Sequence, residues 1–186
     1  VLEPFLERLR ETHASDWQPV ASGGLIAWAL FCAWILWFSH TGDRWVPLLD
    51  GANLAFHEAG HPLFGLLGER LEVYGGTLGQ LVFPVAALCV FWRRREAVST
   101  AVCVAWLADN LFNIARYMGD ARAKLLPLVG GLDPEYSHDW DIILRRWGLL
   151  NLDTTLALVL RCAGWALILC AGIWLLRRWQ ADRDAG

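Results

Sequence analysis

The sequence has little cysteine and no pairing pattern for it. Its five cysteines, Cys32, Cys89, Cys103, Cys162 and Cys170, all fall inside apolar stretches and form no CxxC pair. That excludes a disulfide framework and a zinc knuckle, and the five read as small buried hydrophobes. Internal repeats and low-complexity tracts are absent, which excludes a solenoid and a disordered polar chain. An excess of basic charge is lacking too: 16 Lys and Arg face 19 Asp and Glu, for a formal net charge of −3. The basic residues come as short clusters at the ends of apolar blocks. The chain is therefore expected to anchor in a lipid bilayer and to have no nucleic-acid partner. The opening stretch 1–18 is charged and polar, without the apolar centre of a cleavable signal peptide.

What is present is apolar. Hydrophobic residues make up 56% of the 186-residue chain, above the ~45–50% usual for soluble domains. They are gathered into blocks near the ~20 residues that cross ~30 Å of hydrocarbon. The pattern predicts an all-α, polytopic membrane protein of about five transmembrane helices, at 21–39, 48–67, 76–92, 97–118 and 154–176. Residues 1–20 read as an N-terminal amphipathic segment, and 21–186 as a single transmembrane domain with a polar, interfacial insert at 119–153. Within that insert, 140–150 has the pattern of a surface amphipathic helix. Of the 12 tryptophans, Trp17, Trp45, Trp92, Trp147 and Trp179 lie near block ends, where an amphipathic ring suits the headgroup region. Placing Arg93, Arg94, Arg95, Arg177 and Arg178 in the cytoplasm gives an outside N-terminus and an inside C-terminus for five spans.

The second block carries chemistry: it contains His57, Glu58 and His61 in the order His-Glu-Ala-Gly-His. Residues four apart share a helical face, with Cβ atoms ~5–6 Å apart, so the two imidazoles can grip one ion. Glu58 can reach a water on that ion without occupying the coordination sphere. Zn2+ would lower the water's pKa to about 7, and the glutamate would take its proton as general base. This is the H-E-x-x-H pattern of metalloproteases. Two histidines and a glutamate in one turn of a membrane helix are costly, about 2.5–3.5 kcal/mol for a charged side chain on insertion scales, and packing alone does not explain them. Pro62 removes the helical partner of the Glu58 carbonyl. A kink is expected there, and with it either an opened turn or a fit to neighbouring helices.

These residues resemble the site-2 protease family of intramembrane zinc metalloproteases, closely over residues 48–92 and loosely elsewhere. The resemblance implies a membrane-embedded H-E-x-x-H helix with a third metal ligand from a distant helix. It also implies a substrate groove lined by a Gly-Gly segment, here Gly75-Gly76-Thr77. One feature departs from the family. Its Leu-Asp-Gly motif follows the histidines, whereas Leu49-Asp50-Gly51 precedes them. Asp50 then lies about 10 Å from His57 along the same helix, cannot share its metal, and reads as the helix N-cap. The order of HEAGH, GGT with Gln80, Asn113, YMGDAR and HDW is also similar to a group of small bacterial membrane proteins placed near the site-2 proteases. That likeness implies the bacterial inner membrane.

The third ligand is left to His138, Asp139, Asp120 or Asp109, the first three in the insert that follows the fourth block. His138 is the first choice, because neutral imidazole is an excellent zinc ligand and a loop can fold over the site. Asp139 is then the carboxylate that orients it, or the ligand itself. Gln80 and Asn113, with Gly75 and Gly76, are candidates for holding substrate backbone, although Asn110 and Asn113 equally suit hydrogen bonding between helices. Arg116 and Arg122 are placed to stabilise an oxyanion or to pair with a carboxylate. Arg161, inside the fifth block, requires a partner or a watery cavity. Three functions fit the sequence. One is a membrane-embedded zinc metallopeptidase cleaving a peptide or membrane-protein substrate. Another is a non-catalytic structural or assembly subunit of a membrane complex, or a homo-oligomer, that retains a zinc site. The third is a different metal-dependent hydrolase acting on a lipid or amide.

Overall fold

The computed structural model describes residues 16–129, 133 and 137–184. The expected amphipathic segment 1–20 falls mostly outside the described residues. Among the described residues, six α-helices follow in chain order: α1 (Ser22–His40), α2 (Leu49–Gly65), α3 (Glu69–Arg93), α4 (Ala97–Gly119), α5 (Asp139–Trp147) and α6 (Asp153–Asp184). One short 3-10 turn (Leu150–Leu152) links α5 to α6. No strand occurs among the described residues.

Four of these helices, α1, α3, α4 and α6, are long and apolar enough to cross a membrane. The fifth expected span, α2, is not. It has only 17 residues, about 25 Å of helix, and carries Asp50, Asn53, His57, Glu58 and His61.

The contacts between helix ends explain the difference. Gln18 N–H donates to the Arg95 carbonyl at 2.9 Å, so α1 starts beside the α3–α4 turn. Val20 N–H donates to Asp182 Oδ2 at 2.8 Å, and Trp179 Nε1 donates to Ser22 Oγ at 3.0 Å, which brings the end of α6 to the same face. At the opposite face, Arg122 reaches Asp153 at 2.6 Å and joins the end of α4 to the start of α6. α1 therefore crosses away from the first face, α3 returns to it, α4 leaves it and α6 returns. Between α1 and α3, α2 must go in and come back on one side. The start of α1 and the end of α6 both lie on the face that carries Arg93, Arg94, Arg95, Arg177 and Arg178, which corrects the expectation of ends on opposite sides. An even number of crossings requires this.

α4 is the central helix, with 56% of its most apolar window buried against 22–28% in the other three. Small residues on it (Ala101, Ala105, Ala108) let α1 and α6 approach closely, with Trp28, Ile35, Phe112, Ile168 and Leu175 filling the gaps. The outer faces keep large apolar side chains exposed, among them Ile26, Leu30, Val159, Leu169 and Ile173, as lipid contact requires. Cys32 and Cys103 are buried as expected, whereas Cys89, Cys162 and Cys170 face outward; all five are free thiols. Trp17 packs edge-on against Trp92 and Trp174, and the Arg95 and Arg178 guanidiniums lie 5.1 and 4.9 Å from its ring. These cation–π contacts bind the ends of α3 and α6 to the segment before α1.

A buried polar network holds α2 against α4. Asn53 donates to Asp109 Oδ2 at 2.9 Å and accepts from Trp106 Nε1 at 2.8 Å and Asn110 Nδ2 at 3.2 Å. Asp50 is not the N-cap of α2, since Leu48 holds that position. Its carboxylate reaches back to the Val46 N–H at 2.6 Å and also accepts from Asn113 at 3.3 Å. In lipid the apolar drive between helices is weak, so such hydrogen bonds carry more of the association.

Candidate metal centre

α2 and α3 form an antiparallel hairpin whose crossing is made of glycines. A Cβ at Gly60 would meet the Gly75 carbonyl oxygen, and one at Gly79 would meet the Phe56 carbonyl oxygen. Only hydrogen fits between the two backbones. This closeness sets the depth at which His57 and His61 stand against α3. Gly76 completes the wall, because a Cβ there would run into His57 Nε2 and lie 2.7 Å from His61 Nε2. Both Nε2 atoms thus point at a space that a single methyl group would fill.

The third group comes from α5, an amphipathic surface helix seated by Trp140, Ile143 and Leu144 on Ile114, Met118 and Ala121. Asp139 opens this helix. Its Oδ2 lies 3.0 Å from His57 Nε2 and 3.3 Å from His61 Nε2. One ligand atom from each of His57, His61 and Asp139 falls within 4.8 Å of the others. A tetrahedral ion with ~2.0–2.1 Å bonds holds its donors about 3.3 Å apart, so the set fits a zinc-sized cation. His61 Nδ1 donates to the Glu72 carbonyl at 2.9 Å, which fixes the tautomer and leaves the Nε2 lone pair for a metal. Burial pushes the Asp139 carboxyl upward, but the His57 and His61 rings outweigh it and hold it below the usual carboxylate range. The Tyr117 hydroxyl accepts the Asp139 backbone N–H at 3.1 Å.

His138, the first choice from sequence, is not brought to the pair. It caps α5: its Nδ1 accepts the Asp141 N–H at 3.3 Å. The ring proton then sits on Nε2, which faces Asp120 Oδ2 at 3.6 Å. Burial keeps the imidazole below its ordinary pKa against the pull of Asp120, Asp139 and Asp141. Asp120 is likewise committed elsewhere, accepting the Leu125 and Leu126 N–H groups at 3.0 Å. Asp109 belongs to the Asn53 network. Among the described residues, Asp139 alone joins the histidines.

The remaining candidates divide. Glu58 is exposed on α2 and lines two adjoining cavities of about 210 and 290 Å³, both of which also touch His57 and Tyr117. Gln80, Asn113 and Arg116 line the first of these, and the chain at 126–129 runs over it. Gly75 and Gly76, expected at a groove edge, lie buried inside α3. Their backbone groups belong to a helix and offer no strand edge for β-addition. Pro62 does not open the helix, since α2 continues to Gly65. Sequence reasoning missed Tyr117, although it lies four residues after Asn113 on the same helical face.

No protein-family model, curated protein or solved structure matches this chain.

Proposed function

We propose that the chain is a membrane-embedded zinc metallopeptidase, with His57, His61 and Asp139 as metal ligands and Glu58 as general base. The observation that carries the reading is the convergence of two imidazoles and one carboxylate beside a cleft that Glu58 also lines. Three protein donors leave one coordination position open, which is the catalytic and not the structural pattern. This favours an enzyme over a metal-bearing assembly subunit.

Zinc, when bound, supplies a Lewis acid that polarises a carbonyl and acidifies water. Glu58 takes the proton of a cleft water on a carboxylate oxygen and delivers it to the departing amine. Gln80 and Asn113 offer amide groups to the substrate backbone from the cleft wall, and Arg116 offers positive charge to a developing oxyanion. The resemblance to site-2 proteases and the place of α2 among membrane-spanning helices support a peptide substrate at a bilayer.

The test is the Glu58→Gln variant, purified in detergent and assayed against casein and a fluorogenic peptide pool. Cleavage should vanish while zinc stoichiometry stays at the wild-type value. Turnover by Glu58→Gln, or wild-type protein with zinc bound and no peptidase activity on any pool member, would overturn the proposal.

A further inference from the structure

A further cavity, of about 560 Å³, opens between the α1–α2 loop, the end of α4 and the first turns of α6. Three guanidiniums wall it: Arg44 from the loop, Arg116 from α4 and Arg161 from α6. Arg161 is the telling residue. It lies within an otherwise apolar run of α6, with Leu156, Ala157, Leu158, Val159 and Leu160 before it and Cys162, Ala163, Gly164 and Trp165 after it. Its guanidinium makes no hydrogen bond or ion pair among the described residues. A lone arginine at such depth is costly unless a counter-charge or water reaches it.

No carboxylate among the described residues pairs directly with Arg161. Asp120 lines the same cavity, but its oxygens are taken by the Leu125 and Leu126 N–H groups. Asp43 lines it from an exposed loop. Asp50 and Asp109 share a pocket of only about 10 Å³ with all three arginines, and Arg116 attracts the Asp50 carboxylate; their hydrogen bonds go to Val46, Asn113 and Asn53. The lining of the cavity itself brings three guanidiniums and two carboxylates, Asp43 and Asp120, an excess of positive charge that suits a phosphodiester. Guanidinium is also the side chain best shaped for phosphate oxygens. Beside Arg161, Leu158 lines the cavity and is 58% exposed on the lipid-facing side of α6, where an acyl chain would run.

We propose that this cavity holds the phosphodiester headgroup of an anionic membrane lipid, clasped by Arg44, Arg116 and Arg161. Basic pockets between transmembrane helices recognise headgroups in this way. The cavity touches none of the three metal-binding side chains, and the proposal does not depend on the peptidase reading. Arg116 borders the metal-side cleft as well, so the test rests on the other two arginines.

The experiment is native mass spectrometry of the full chain released from detergent and titrated with phosphatidylglycerol or phosphatidylcholine of equal acyl composition. Wild type should retain phosphatidylglycerol at least about tenfold better. Arg161→Gln and Arg44→Gln should each bring retention down to the phosphatidylcholine level. Arg44 is exposed on a loop, so its variant carries the test if Arg161→Gln fails to fold. Equal retention of both lipids by wild type, or wild-type preference in Arg44→Gln, would overturn the proposal. Displacement of the lipid by equimolar inorganic phosphate would overturn the lipid assignment in favour of a soluble anion.

Discussion

Replacing Gly76 by Ala should weaken metal binding by His57 and His61 without unfolding the bundle. The new Cβ would run into His57 Nε2 and lie 2.6 Å from that ring's Cε1 and 2.7 Å from His61 Nε2. Carbon contacts settle at roughly 3.5–4.0 Å, so both rings must retreat by about 1 Å. Overpacking of this kind costs about 1–3 kcal/mol. Charged to the ring positions alone, that is roughly a 5- to 150-fold loss of zinc affinity. The rings are side chains and can turn away, so the helix crossing survives. Gly60→Ala is the contrast, because its Cβ meets the Gly75 carbonyl oxygen, and backbone cannot rotate aside. Zinc affinity measured against a chromophoric chelator, paired with thermal unfolding in zinc-free detergent, separates the two. Gly76→Ala should unfold near the wild-type temperature and bind zinc weakly, whereas Gly60→Ala should unfold early with or without zinc. Zinc affinity of Gly76→Ala within about twofold of wild type would show that the two Nε2 atoms do not share a metal.

Further tests address the ligand set, the polar network and the topology. Asp139→Ala should leave purified protein without zinc after dialysis against a weak chelator. His138→Ala should still load at saturating zinc but with about 10- to 100-fold lower affinity, as for other residues that orient a ligand; metal analysis after graded chelation distinguishes them. Asn53→Ala leaves buried Asp109 and half-buried Trp106 without the partners that Asn53 gives them, while Asp50 and Asn110 keep Asn113 and the Trp106 carbonyl; each buried polar group left unpaired costs about 1–3 kcal/mol. Thermal unfolding should show one of the largest single-site losses in the bundle. Cysteines introduced at Gln18 and Asp184 should react with an impermeant reagent from one side of sealed vesicles, and one at Arg146 from the other. Labelling of Gln18→Cys and Asp184→Cys from opposite sides would restore a fifth crossing.

Much of the fold is legible in the sequence because bilayer solvation imposes a length and a polarity on each span. α1 and α4 follow their apolar blocks closely, α6 starts with its block but runs past it to Asp184, and the amphipathic pattern at 140–150 corresponds to α5 (Asp139–Trp147). The count of crossings is not legible. The block at 48–67 is apolar enough in composition to pass for a span, yet its polar residues serve a lateral network with α4. Whether such a helix crosses depends on where its neighbours' ends meet, as in the Gln18–Arg95 and Val20–Asp182 contacts. No periodicity encodes those. The glycine crossing behaves similarly. Gly75 and Gly76 stand out in the sequence, but a groove edge and a helix–helix contact both favour glycine, and only the facing Gly60 separates them.

The choice between His138 and Asp139 turns on helix-end chemistry more than on ligand preference. Imidazole is the better zinc donor in isolation, but the residue that caps a helix spends its side chain on that helix's own N–H groups. His138 does this through Nδ1, and its Nε2 proton then points at Asp120. Neither nitrogen has a lone pair left for a metal. The next residue is the first of α5, where its side chain is free to project and a carboxylate is favoured by the helix dipole. The acidic pair Asp139 and Asp141 is the sequence mark of a helix first turn, which places the cap one residue earlier, at His138. Reading the cap before the ligand would have assigned Asp139 to the histidines. It also predicts that His138→Asn, a good capping residue that cannot replace imidazole as a zinc ligand, should keep near-normal zinc affinity where His138→Ala does not. Equal zinc loss in the two variants would return His138 to the coordination sphere.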